Sequence, residues 1–372
     1  MAAKRSKITL LDILVRLMAV ILAICLVLGI IAGKLDPRDY KYIPFFGLAY
    51  PYLLLLNLLF VLWWCFRRHW AFAIATSVLI LAGWTTLNAT FGVFGDKGEG
   101  QKANPEDLRM MTYNVHSFMP YAEKNIEPVK QQMLELIRTE NPDVICFQEY
   151  FTRRKGAYDI TDSLTRILNT KHYYFVPFSD NDYEATGLAI FSRYPIINKG
   201  TIKFGENTGG NSSIYIDIAV NKQKLRVYNV HLQSISFGKQ DYSYIDKVTH
   251  KMDPDILPSK RIATMLRSAF LKRSAQVDIM KEHMQTCTTS FLIAGDFNDT
   301  PASYAVTQLT KSLNSTFKEQ GTGLGRTYNG KFPNFQIDYI ATTKDIKVLN
   351  HRVIPAKLSD HFPVRSDLRL NH

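Results

Sequence analysis

The chain has 372 residues, 46% of them apolar and 21% charged, with four cysteines and a formal net charge of +12. This composition excludes a disordered chain and a disulfide-built scaffold, and the length allows one large domain or two moderate ones. Charge is uneven: residues 1–96 hold 9 Lys/Arg and 4 Asp/Glu, leaving 36 basic and 29 acidic residues, about +7, for the rest. That mild excess suits a phosphate-bearing partner, and plain solubility equally well.

In chain order, three apolar stretches come first, at residues 13–32, 46–66 and 70–90. Each approaches the ~20 residues that cross ~30 Å of hydrocarbon as a helix. They predict three transmembrane helices within a membrane anchor at 1–92. Lys4, Arg5 and Lys7 precede the first stretch, and Arg67 and Arg68 sit in the second loop. Both clusters favour the cytoplasmic side, although Lys34, Arg38 and Lys41 in the first loop reduce the contrast. An odd number of spans then places the larger domain outside a cytoplasmic (inner) membrane. Trp63, Trp64 and Trp70 flank the short basic turn as interfacial anchors would. Residues 93–107, rich in glycine and charge, read as a flexible linker.

From Leu108 the pattern changes. Strands are predicted at 108–115, 143–148, 173–177, 187–192, 213–220, 225–231, 290–294, 337–341 and 364–368, with helices at 129–138 and 259–285. Many short strands with few long helices imply two packed sheets with helices outside. The cysteines lack zinc-ligand spacing and read as core residues.

Polar residues recur where apolar strands end. Asn114 follows Met-Thr-Tyr, Glu149 follows Cys-Phe-Gln, and His231 closes Tyr-Asn-Val-His. Asp296 and Asn298 lie in Gly-Asp-Phe-Asn, Asp338 opens Asp-Tyr-Ile, and Asp360 and His361 precede Phe-Pro-Val. Singly, each has an ordinary reading: turn asparagine, Asx turn, core histidine, capping aspartate. Together, groups at strand ends can converge on one rim of a sheet.

The ordered set Thr-Tyr-Asn (112–114), Gln-Glu (148–149), Ile-Phe-Ser-Arg-Tyr-Pro (190–195), Asn-Val-His-Leu (229–232), Gly-Asp-Phe-Asn (295–298), Ile-Asp-Tyr-Ile (337–340) and Ser-Asp-His-Phe-Pro-Val (359–364) resembles the endonuclease/exonuclease/phosphatase superfamily. That superfamily includes pancreatic deoxyribonuclease, exonuclease III-type AP endonucleases, neutral sphingomyelinases and inositol polyphosphate 5-phosphatases. The resemblance covers essentially Leu108–Leu370, within an expected catalytic domain at 108–372, and implies a four-layer α/β sandwich, two mixed sheets flanked by helices; the anchor lies outside it and makes this a membrane-anchored member of bacterial type. It implies hydrolysis of a phosphoester with Mg²⁺ or Mn²⁺, held by Glu149 with Asp360 and Asn114. Asp296, beside Asn298, would position the attacking water; His231, Asn298 and His361 would donate to phosphate oxygens; Asp338 would orient His361. Many members carry Arg where this chain has Gln336. Arg326 and Tyr328 are expected to line the substrate cleft. The basic segment 233–285 reads either as a substrate or membrane-surface element or as a solvated helix face.

A phosphodiester is the expected substrate: nucleic acid, phospholipid headgroup or small diester. The alternatives are a phosphomonoesterase of inositol-phosphatase type and a non-catalytic membrane-tethered binding domain. The lipid bilayer is the other expected partner, through the N-terminal helices, and no obligate protein partner is evident.

Overall fold

The computed structural model describes residues 9–119, 126–205, 209–235, 237–251, 256–330 and 335–370. Lys4, Arg5 and Lys7, on which the expected orientation leans, lie outside these residues. The chain divides into two compact units, Met1–Thr90 with Ala302–Tyr304, and Phe91–Pro301 with Ala305–His372.

The first unit is helical. Helix α1 (Leu10–Ile31) starts at a capping box, with Asp12 N donating to Thr9 Oγ1 and Thr9 N donating to Asp12 Oδ2. After it come α2 (Ile43–Leu48), α3 (Tyr50–Phe66), α4 (Trp70–Ala82) and α5 (Trp84–Thr90). Asn57 of α3 is buried and donates to Leu22 O of α1 at 3.1 Å and to Leu53 O at 2.8 Å, so one polar side chain ties the two helices.

Three membrane spans were expected, and here the structure differs. With its 3-10 extension the first helix runs Leu10–Lys34, 25 residues of mean hydropathy 2.9, and is the one helix among the described residues long and apolar enough to cross a membrane. The second stretch divides because Pro51 has no N–H to continue the helix from Gly47, leaving the 17-residue α3, roughly 25 Å long. The third bends by 73° between α4 and α5 and would count as a span only if both halves were taken together. Gly83 marks that break: a Cβ there would meet Ile30 Cδ1 at 2.6 Å.

The second unit is built from β1 (Leu108–Asn114), β2 (Val144–Arg153), β3 (His172–Asp180), β4 (Glu184–Ser192), β5 (Ile196–Lys203), β6 (Ser212–Val220) and β7 (Gln223–His231). It continues with β8 (Phe291–Asp296), β9 (Asn314–Ser315), β10 (Asp338–Thr342), β11 (Ile346–Val348), β12 (Arg352–Val353) and β13 (Val364–Leu370). One sheet has the order β11-β13-β1-β2-β4-β3, with β12 also on β13; the other runs β5-β6-β7-β8-β10-β9. Each sheet has one parallel pair, β1 with β2 and β7 with β8, among antiparallel neighbours. Two packed mixed sheets flanked by helices is the architecture the sequence predicts.

Alternation along the strands makes the layers. Met110, Cys146 and Ile190 face inward and meet Ile216, Val227 and Leu292 of the second sheet. Their neighbours Met111, Ile145 and Phe191 face outward, against Val129, Met133 and Ile137 of α6 (Ile126–Glu140) and Ile160 and Leu164 of α7 (Ile160–Ile167). After β7 the chain forms α8 (Lys239–Lys251) and α9 (Ile256–Gln285), and His283 of α9 meets the outward Tyr228. Short helices α10 (Tyr304–Thr310) and α11 (Thr316–Gln320) complete the unit.

The segment read as a flexible linker, 93–107, is hydrogen-bonded to the second unit. Gly92 pairs with Gly323 just before it, His351 N donates to Asp96 O at 2.9 Å, and Arg109 Nη1 donates to Gly100 O at 3.0 Å. Arg365 Nη2 donates to Gly98 O, and Lys102 Nζ reaches Asp143 Oδ2 at 2.7 Å.

Candidate active site

Strand direction explains why distant residues meet. In each parallel pair both C-terminal ends lie on the same edge: Asn114 pairs in register with Gln148, and His231 with Asp296. Antiparallel β10 brings its first residue there, Asp338 opposite Asp296. Beneath this rim the sheets are joined by buried amides, with Gln148 Nε2 donating to Asn229 Oδ1 at 2.6 Å and Asn229 Nδ2 to Phe147 O and Ala189 O. Those two motif residues thus hold the rim together.

Two local devices aim the acids. A bulge between Phe147 and Tyr150 puts Glu149 at φ 50, which turns its side chain off the strand and into the cleft. Gly295, at φ 142, lets β8 pass close to β7: a Cβ there would lie 2.0 Å from Val230 O. Asp296, the next residue, ends the strand with Oδ1 accepting from Asn298 N at 2.8 Å.

Asp296 is the centre. Its Oδ2 accepts from Asn114 Nδ2 at 3.1 Å and lies 3.7 Å from both His231 Nε2 and His361 Nε2. His361 Nδ1 donates to Asp338 Oδ2 at 2.9 Å, and Asp338 N is held by Thr327 Oγ1 at 3.0 Å. Burial pushes the Asp296 carboxyl up to about 6, against the pull of the His361 charge. Burial opposes the charged form of His361, but Asp338 and Asp296 outweigh it and raise its pKa well above the ordinary value. His361 is therefore an imidazolium with one nitrogen fixed and the other turned to the cleft. His231 is 6% exposed, and neither ring nitrogen has a hydrogen-bond partner among the described residues.

Glu149 and Asp360 face a different partner. His116 Nδ1 lies 3.4 Å from Glu149 Oε2 and 3.7 Å from Asp360 Oδ1. Desolvation pushes the Glu149 carboxyl up, but the His116 bond and the charges of His231, His116 and His361 outweigh it and leave it at about 2. The Glu149 bond raises the pKa of His116 in turn. Two carboxylates converging on one positive centre, open to solvent, are the donor set a hard divalent cation takes. Asn114 turns its amide nitrogen to Glu149 Oε1 at 3.4 Å, while its oxygen accepts from His116 N at 3.2 Å. It therefore holds the carboxylate in place, and its oxygen keeps a second lone pair that a cation could take. A second cluster, Asp296, Asp338 and His361, could also hold a metal, its ligand atoms lying within 4.8 Å of one another. Its histidine is already bonded to Asp338, which suits proton handling.

The remaining expected residues lie at the margin. Asn298 meets Asp296 through its backbone, and its side-chain Nδ2 donates away, to Leu232 O at 3.0 Å. The Tyr328 ring stands edge-on to His361 with centroids 5.5 Å apart. Arg326 is exposed, donates to Tyr328 O and lies over the Phe362 ring; it bonds none of the acids. Two residues without a sequence-derived role join the site. His116 was visible inside Tyr-Asn-Val-His, but a lone histidine after a turn carries no pattern. Arg273, 1% exposed on α9, pairs with Asp299 at 3.0 Å and donates to the carbonyls of Gln233 and Asn298, clamping the Gly-Asp-Phe-Asn turn.

A family model described as the endonuclease/exonuclease/phosphatase family matches residues 111–361, and one described as a domain of unknown function matches residues 12–90. Among solved structures, an endonuclease/exonuclease/phosphatase from Bacteroides vulgatus superposes with a TM-score of 0.51 at 18% identity, over 71% of this chain and 99% of that one. One from Beutenbergia cavernae DSM 12333 gives 0.50 at 18% identity, over 71% and 72% of the two chains. A functionally unknown conserved protein from Enterococcus faecalis V583 gives 0.50 at 17% identity, over 71% and 100%. These likenesses establish the fold alone. No curated protein matches the chain.

Proposed function

This chain belongs to the endonuclease/exonuclease/phosphatase family and is a hydrolase of phosphoesters, and from that premise we propose a divalent-metal-dependent phosphodiesterase tethered to a membrane. The observation that carries the reading is the division of the cleft. Glu149 and Asp360 converge on one positive centre, and beside them Asp296, His231, His361 and Asp338 form a separate group built for proton handling.

Glu149 and Asp360 would hold the cation, with Asn114 orienting Glu149. When bound, Mg²⁺ or Mn²⁺ supplies charge neutralisation and polarisation of the phosphoryl oxygens. The chain's own residues do the rest. Asp296, ionised above about 6, accepts a proton from the attacking water, which Asn114 and the 296–298 turn help to position. His361 donates from Nε2 to a phosphoryl oxygen, and Asp338 keeps it charged and oriented. His231, with both nitrogens uncommitted, is a further donor to the phosphate. A diester suits this charge balance. No Lys or Arg bonds the four acids among the described residues, and neutral Gln336 stands two residues before Asp338, so only the cation and the site's histidines would offset the second charge of a monoester.

The test uses the purified full chain with bis-p-nitrophenyl phosphate and p-nitrophenyl phosphate, each with Mg²⁺, Mn²⁺ or EDTA. Cleavage of the diester that EDTA and Glu149→Gln both abolish is the expected result. Faster turnover of the monoester moves the assignment to a phosphomonoesterase; no turnover of either favours a binding domain.

Tethering is motivated by α1, which leaves Leu14, Leu17, Ile21 and Ile24 more than half exposed. A single span or three spans would put the second unit across the membrane from the N-terminus, hence outside the cell membrane, whereas two spans, with α4 and α5 counted as one, would leave it on the N-terminal side. Release of the chain by alkaline carbonate would refute the tether; protection from protease added to intact cells would reverse the orientation.

A further inference from the structure

His116 has no place in the mechanism above, yet its Nδ1 lies within 3.7 Å of an oxygen of each proposed metal-binding carboxylate. The turn that carries it is unusual. His116, Ser117 and Phe118 have φ 44, 57 and 56, three consecutive left-handed residues of which none is glycine. The turn is pinned at both ends. Asn114 Oδ1 accepts from His116 N at 3.2 Å, and Phe118 is fully buried against Phe147 and Tyr150 with centroids 6.2 and 5.9 Å away. With its flanks fixed, the imidazole is delivered between Glu149 and Asp360, Nδ1 at 3.4 and 3.7 Å from their oxygens. The imidazole thus stands between the two carboxylates, within 3.7 Å of an oxygen of each, and the three are a ligand set once the carboxylates draw in on a cation.

We propose that His116 is a third protein ligand of the cation, its Nδ1 joining the Glu149 and Asp360 carboxylates, and that it tilts the site toward a first-row transition ion such as Mn²⁺ and away from Mg²⁺. This rests on the reading that those two carboxylates hold the metal. Mg²⁺ takes oxygen ligands in a near-ideal octahedron and keeps its waters, whereas an imidazole nitrogen gains affinity along the first transition row. On ligation the Nδ1 proton leaves to solvent, its charge-balancing role passing to the cation.

The experiment is Mn²⁺ titration of the full-length chain in detergent micelles, followed by electron paramagnetic resonance, with spin-echo modulation to read nitrogen coupling. The native chain should show the coupling of a directly bonded ¹⁴N. His116→Asn, which suits the left-handed position, should still bind Mn²⁺ but lose the coupling. Its preference for Mn²⁺ over Mg²⁺ should fall at least about tenfold, the lower end of what losing even an indirect partner of a metal ligand brings. Mn²⁺ bound in a Glu149-dependent way without ¹⁴N coupling, or with coupling that survives His116→Asn, overturns the proposal and leaves the carboxylate site standing. Mn²⁺ binding that Glu149→Gln leaves unchanged overturns the metal site itself, and this inference with it.

Discussion

A carboxyl and an imidazole 3.7 Å apart, Asp296 and His361, are each driven toward protonation, Asp296 by burial and His361 by its acidic partners. Activity should follow from both. Asp296 must be ionised to accept a proton, so kcat/KM at saturating metal should rise about tenfold per pH unit up to about 6 and level beyond it. His361 must stay charged, which sets a limit at alkaline pH. Asp338→Asn removes its main stabilising charge, so the alkaline limb should move to lower pH and kcat fall by roughly 10²–10⁴. A pH–rate profile with an unmoved alkaline limb would break the assignment. Elsewhere His351 is held neutral by burial, its pKa about 3 against an ordinary 6.5. Between those values the unfolded chain binds a proton that the native chain does not, so stability falls as pH drops, by about 1.4 kcal/mol per pH unit. His351→Gln should flatten that slope in urea titrations at pH 4–6, while an unchanged slope would place it in other groups. The acids and histidines of the site are readable because each sits at or near an end of an apolar strand inside a motif: Glu149, His231 and Asp296 late in one, Asp338 opening one, Asp360 and His361 ahead of one. His116 is not, since only a left-handed turn points it inward.

Elements with a hydrophobic period were legible, and those without one were not. The predicted strands at 213–220 and 225–231 lie within β6 and β7, whose inward residues Ile214, Ile216, Leu225 and Val227 are fully buried. Strand β5 was missed because Ile-Ile-Asn-Lys-Gly-Thr-Ile-Lys at a sheet edge offers little buried alternation. In the basic segment, Lys260, Arg261, Arg267 and Lys272 are exposed, as a solvated helix face requires. Arg273, adjacent in sequence, is the exception that composition concealed. Removing it breaks the ion pair to Asp299, which is 6% exposed. Arg273→Met should therefore cost about 3–5 kcal/mol, read from urea unfolding, with part of the loss recovered by adding Asp299→Asn. Arg273→Lys should not restore activity, because one ammonium cannot reproduce a planar fork that spans Gln233 O, Asn298 O and Asp299. Equal stability of Arg273→Met and the native chain would make the clamp incidental.

For the whole molecule, hydropathy located the apolar material but not its breaks, since a window average registers neither the missing N–H of Pro51 nor the 73° bend between α4 and α5. Composition failed in the opposite sense at 93–107, where glycine and charge suggested a free tether. The explanation lies at the far end of the chain. Arg109 and Arg365, 3% and 1% exposed, need more acceptors than Asp367 and Glu140 alone provide, and the carbonyls of Gly98 and Gly100 supply them. Lys102 likewise answers Asp143, which is 6% exposed. The segment therefore belongs energetically to the second unit. A chain beginning at Phe91 should be soluble without detergent and keep its turnover. One beginning at Leu108 loses these acceptors, and each lost hydrogen bond to a buried charge is worth about 1.5–3 kcal/mol. Its urea midpoint should accordingly fall well below that of the longer chain. Coincident midpoints would show that water replaces the carbonyls without cost and that 93–107 is a tether after all.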